Sequence, residues 1–66
     1  MKAAERFTKG QRVQYSTKGL AQLQVRQSPG TVTGFGRQDH LVRVKHDGIT
    51  EVQTYHQDFI EPLSKP

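Results

Sequence analysis

Leu41-Val42-Arg43-Val44-Lys45-His46-Asp47-Gly48-Ile49-Thr50-Glu51-Val52-Gln53-Thr54-Tyr55 reads as two strands joined by a turn, and the fold builds outward from it. Val42 and Val44 alternate with Arg43 and Lys45, the pattern of a strand with one buried face. Asp47-Gly48 is a favoured hairpin pair. Glu51 to Tyr55 is the return strand, in which Val52 and Thr54 share one face and Gln53 and Tyr55 the other. If Val52 points into the core, an amide and a phenol stand together on an exposed sheet surface. That pair combines donors, an acceptor and a flat apolar ring, which suits planar heterocycles.

Short strands extend on both sides of the hairpin. Lys9-Gly10 opens a strand at about Arg12 to Ser16, with Val13 and Tyr15 on one face. Gly30 to Phe35 is β-branched and bounded by glycine, which predicts a strand after the Ser28-Pro29-Gly30 turn. His56 to Phe59 reads as one 3₁₀ turn and Ile60-Glu61 as a last short strand. Thr17 to Gln27 is read as a long loop with a partly apolar inner side; a helical turn carrying Leu20, Leu23 and Val25 is the alternative. The expected fold is all-β: a small five-stranded SH3-like barrel with a long first loop and a 3₁₀ turn before the last strand. Closure hides the edges of so small a sheet. Residues 1–6 read as a disordered tail, 7–63 as one domain and 64–66 as a C-terminal tail.

The 66 residues are 32% hydrophobic, enough for a single domain. A domain of this size buries only about 60% of its unfolded surface and is marginal alone. With no cysteine, disulfides and thiolate chemistry are excluded. No apolar run reaches the roughly 20 residues that span a bilayer, and the first six residues lack the apolar stretch of a signal peptide. A cytoplasmic protein with no membrane partner is expected. No metal-ligating, hydrolase or phosphate-loop motif is present. His46 and His56 read as exposed turn histidines, and Phe35 and Phe59 as core. Tyr15 either stacks a base beside Arg12 and Lys18 or closes the barrel. Tyr55 is divided between a surface role and the core.

The net charge is +4, and it is unevenly spread. Residues 1–38 hold seven Lys or Arg against Glu5 alone, whereas residues 39–66 hold five acids against three bases. A basic half attracts polyanions, either nucleic acid or a phosphorylated cofactor.

Phe7-Thr8-Lys9-Gly10-Gln11-Arg12-Val13, then Gly30-x-Val32-x-Gly34-Phe35, then Val52-Gln53-x-Tyr55 after the hairpin, resemble the type B dihydrofolate reductases. These are small plasmid-borne enzymes that confer trimethoprim resistance. The resemblance implies a homotetramer around a central pore lined by the Val52–Tyr55 strands. NADPH and dihydrofolate would meet there for hydride transfer, insensitive to trimethoprim. Gln53 and Tyr55 would be the catalytic residues. Gln53 would contact the nicotinamide and pterin rings, and Tyr55 the cofactor or substrate through its hydroxyl. Thr54 would offer backbone N–H and C=O groups to the nicotinamide carboxamide, and Val52 would shape the pore wall. Lys18 would replace the family's charge-binding lysine, whose place Tyr15 takes, and so serve cofactor and substrate. The chain departs from the family in its longer Gln14–Pro29 loop, its lack of tryptophan and its Gly48 where the interface histidine falls. The glycine-and-valine rhythm of Gly10, Val13, Gly30 and Val32 is also similar to the KOW type of nucleic-acid-binding SH3-like module. A third option is a protein-interaction barrel.

Overall fold

A computed structural model describes residues 3–63. Five strands, β1 (Arg12–Tyr15), β2 (Gly30–Phe35), β3 (Leu41–His46), β4 (Val52–His56) and β5 (Ile60–Pro62), form one antiparallel sheet in the order β4-β3-β2-β1-β5. Two helical segments, α1 (Ala3–Arg6) and α2 (Thr17–Leu23), and a 3₁₀ turn at Gln57–Phe59 complete the described chain. This is the small five-stranded all-β fold expected from the pattern, and it folds into a compact barrel-like body.

The core follows the alternation. Val13 and Tyr15 of β1, Val32 of β2, Val42 and Val44 of β3, and Ile60 of β5 are buried with Phe7, while Leu20, Leu23, Phe35 and Tyr55 pack around them. A bulge in β2 interrupts the period of two. Val32 stands opposite Val44, but Gly34 already stands opposite Arg43 and Phe35 opposite Val42. The extra residue brings Val32 and Phe35, three positions apart, to the same inner face. At the hairpin, Ile49 N–H closes a turn onto His46 C=O, and Gly48 sits at φ +81°, a conformation glycine adopts at no steric cost.

The first long connection is not an open loop. Thr17–Leu23 is helical, which corrects the loop reading in favour of its alternative. Ser16 caps the helix, its Oγ accepting from Gly19 N–H. Gln24 ends it in the left-handed region at φ 55°. Seven residues make too short a helix to persist alone; it persists because it packs on the 3₁₀ turn. Gly19 lies so close to that turn that a Cβ there would stand 2.3 Å from Phe59 C=O. Val25, beyond the cap, is exposed. Where β2 no longer reaches β1, the Gln27 side chain takes over. It accepts from Tyr15 N–H at 2.7 Å and donates to Tyr15 C=O at 2.8 Å, imitating a ladder pair.

The N-terminal segment also differs from expectation. Ala3–Arg6 is one helical turn rather than a disordered tail. Buried Phe7 fixes its end, and Arg6 reaches Asp58 at 3.3 Å. Met1, Lys2 and the 64–66 tail lie outside the described residues. No described helix is long and apolar enough to cross a membrane.

Candidate functional site

The register of β4 decides which way the Val52–Tyr55 segment faces. Tyr55 pairs with Val42 and Gln53 with Val44, whereas Thr54 pairs with Arg43 and Val52 with Lys45. Residues opposite one another share a face of the sheet. Since Val42 and Val44 are buried, Gln53 and Tyr55 belong to the inner face, and Val52 and Thr54 to the outer. Gln53 and Tyr55 do share a face, as the alternation requires. The premise that Val52 enters the core is corrected: it is 46% exposed. Gln53 lies beyond the rim of the core and is exposed, with no side-chain hydrogen bond among the described residues. Tyr55 is half-buried against the core.

The Tyr55 hydroxyl sits between two partners, His46 Nε2 at 2.8 Å and Tyr15 Oη at 2.9 Å. The three rings pack at centroid separations of 5.1 to 5.7 Å, two of the three contacts edge-on. Burial, then the hydrogen bond and nearby charge of Tyr15, push the Tyr55 phenol well above the ordinary tyrosine range. His46 is only 3% exposed and its Nδ1 has no hydrogen-bond partner among the described residues. Its tautomer follows from that. A proton on Nδ1 would be a buried donor with nothing to accept it, so Nε2 carries the proton and donates to Tyr55. His46 is therefore not an exposed turn histidine, and Tyr15 is a core residue rather than a base-stacking one. The period of two carries this signal: His46 follows Val42 and Val44 on the same face. His56 is half-buried, 4.8 Å from the His40 ring. Phe35 and Phe59 are both partly buried.

The outer face has a different character. Arg12 of β1 forks onto Asp47, Nη1 to Oδ1 at 2.8 Å and Nη2 to Oδ2 at 2.5 Å, and also donates to Thr31 Oγ1. The fork holds the Asp47 carboxyl below the usual carboxylate range. Arg43 and Lys45, on the outer face of β3, the strand next to the β4 edge, are exposed and form no ion pair among the described residues. Around them lie Thr31 opposite Lys45, Thr54 opposite Arg43, and Thr33, whose hydroxyl donates to Arg43 C=O. By the same alternation His56, two residues beyond Thr54, also belongs to the outer face of β4.

Lys18 is elsewhere. It lies on α2 with Nζ 3.7 Å from Asp58 Oδ2, a carboxylate that Arg6 and the His56 ring also approach. The structure joins Lys18 to this surface cluster by its ion pair; no hydrogen bond or ion pair ties it to Val52, Gln53, Thr54 or Tyr55 among the described residues. Neither a pocket nor a group of three or more metal-ligating side chains forms among the described residues. Searches of family models, curated proteins and solved structures return no match for this chain.

Proposed function

We propose that the protein is a nucleic-acid-binding SH3-like module that contacts phosphates through the outer face of its sheet. The observation that carries this reading is the pair Arg43 and Lys45, solvent-facing on β3, in no ion pair among the described residues, and set among threonine hydroxyls. Cations and hydroxyls are the usual phosphate contacts. Arg12 contributes less, because Asp47 already occupies its fork. With cations and hydroxyls as its contacts, recognition is by backbone charge and tolerant of sequence. The test is fluorescence anisotropy with labelled DNA and RNA oligonucleotides across a salt series. Binding weakens steeply with salt, and Arg43→Gln with Lys45→Gln reduces the slope of log K against log salt by about 2, roughly one per cation removed. A flat salt response, or no binding at low salt, rejects the reading.

A second reading, the type B reductase, is favoured by one observation. Gln57 N–H donates to His40 C=O, which sets the phase of the β3–β4 ladder. Two residues at a time, Tyr55 and Gln53 turn their backbone groups toward β3, and Thr54 turns its N–H and C=O to the open edge. Such a donor–acceptor pair matches a carboxamide, and exposed Gln53 is next to it. The engaged Tyr55 hydroxyl counts the other way. The assay is loss of NADPH absorbance with dihydrofolate, with and without trimethoprim. Absence of turnover above background at high protein concentration removes this reading.

A further inference from the structure

The two edges of the sheet are built differently. At one end β5 is three residues long and contains Pro62, which has no N–H to offer. Short length and proline are recognised ways of keeping an edge from pairing. At the other end β4 has five residues, Val52-Gln53-Thr54-Tyr55-His56, with no lysine, acid or proline. Its only strand partner among the described residues is β3. The ladder phase leaves the N–H and C=O groups of Val52, Thr54 and His56 turned outward. Of the three exposed large hydrophobics among the described residues, Val52 belongs to this edge and Ile49, 47% exposed, to the turn leading into it.

From this we infer that two copies of the chain join through their β4 edges, antiparallel about a two-fold axis at Thr54, into one continuous ten-stranded sheet. The occupant is a second copy because the edge complements itself. Centring on Thr54 sets Val52 opposite the partner's His56, so all three outward residues on each strand find partners, for about six ladder hydrogen bonds. Thr54 meets the partner's Thr54, a favourable cross-strand pair. On the inner face Gln53 falls opposite the partner's Tyr55, giving an exposed amide a half-buried ring to lie against. Charge agrees as well. The chain is +4, yet β4 itself is neutral, and the Arg43 side chains lie one strand back from the join, so like charges do not meet there. The arrangement places both Arg43–Lys45 patches on one side of the joined sheet. It is independent of the nucleic-acid reading, since it concerns mass and not ligand.

Sedimentation equilibrium tests the pairing, with protein raised from about 1 µM to about 1 mM, because dimer population follows mass action. The expected mass doubles from 7.5 kDa. Thr54→Pro and Thr54→Lys, both tolerated by an edge strand facing water, stay at the single-chain mass with unchanged far-UV circular dichroism. Independently of any variant, the amide hydrogens of Val52 and Thr54 exchange slowly at high concentration and fast on dilution. A wild-type chain that remains single throughout overturns the inference. So does a folded Thr54→Pro or Thr54→Lys that associates as the wild type does, or a Thr54 amide whose exchange ignores concentration. Salt-dependent oligonucleotide binding by a chain that stays single up to about 1 mM would overturn this proposal and leave the nucleic-acid reading standing.

Discussion

Replacing Tyr55 by phenylalanine removes one oxygen and two hydrogen bonds, the 2.8 Å bond from His46 Nε2 and the 2.9 Å bond with Tyr15. The ring and its packing remain, so the change isolates the polar part of the cluster. His46 is left with both ring nitrogens unpartnered in a site only 3% exposed. An unsatisfied buried donor costs about 1–3 kcal/mol. The Tyr15 hydroxyl loses its bond too, but Tyr55 is half-buried, so water reaches that side and offsets part of the loss. The expected destabilisation is about 2 kcal/mol, against a total of roughly 3–10 kcal/mol for a chain of this length. For so small a domain that lowers Tm by roughly 8–16 °C. Urea and thermal unfolding followed by circular dichroism measure it, with an unchanged urea slope showing that the same surface is exposed. In a His46→Phe background the same substitution costs markedly less, because the stranded donor is already gone. A loss below about 0.5 kcal/mol, or full additivity of the two changes, refutes the buried hydrogen-bonded chain as described.

Two further outcomes follow from the same contacts. Gly19→Ala gains up to about 1 kcal/mol of helix propensity but drives a Cβ into Phe59 C=O, and forced overpacking costs about 1–3 kcal/mol. Because the obstacle is backbone, which yields little, the clash wins, and the urea midpoint falls by an amount equivalent to about 1–2 kcal/mol. An unchanged or raised midpoint would mean that α2 does not rest on the 3₁₀ turn. Alkaline pH acts through Tyr55. Its phenol is raised above its unfolded value by burial and by Tyr15, so the neutral form is the one the fold prefers. Stability from this group is intact below the ordinary tyrosine value of about 10 and declines as pH rises from there through the folded value. Urea midpoints between neutral and alkaline pH should show that decline, with a shallower one in Tyr55→Phe. Equal profiles in both proteins would count against the raised phenol.

The strands were legible in the sequence because each buries one face and the side-chain period is two. Val13 with Tyr15, and Val42 with Val44, mark inner faces that need no further information, and Asp47-Gly48 marks the turn between β3 and β4. The same rule places His46 inside, once the strand is continued by one residue. Thr17–Leu23 was harder to read, since seven residues with an internal glycine carry little helical preference of their own. The helix exists because Gly19 lets α2 lie directly on the 3₁₀ turn, a contact between segments some forty residues apart.

The β4 strand marks the division most clearly. Its sequence determines that Gln53 and Tyr55 share a face, and that Val52 and Thr54 share the other. Each face carries one apolar residue, so the pattern is symmetric and does not say which side is buried. Pairing with β3 breaks that symmetry: Tyr55 stands opposite buried Val42, and Val52 opposite exposed Lys45. Alternation is a property of the strand and is written locally. The direction of burial belongs to the sheet, and only the partner strand, brought alongside in one register, could supply it.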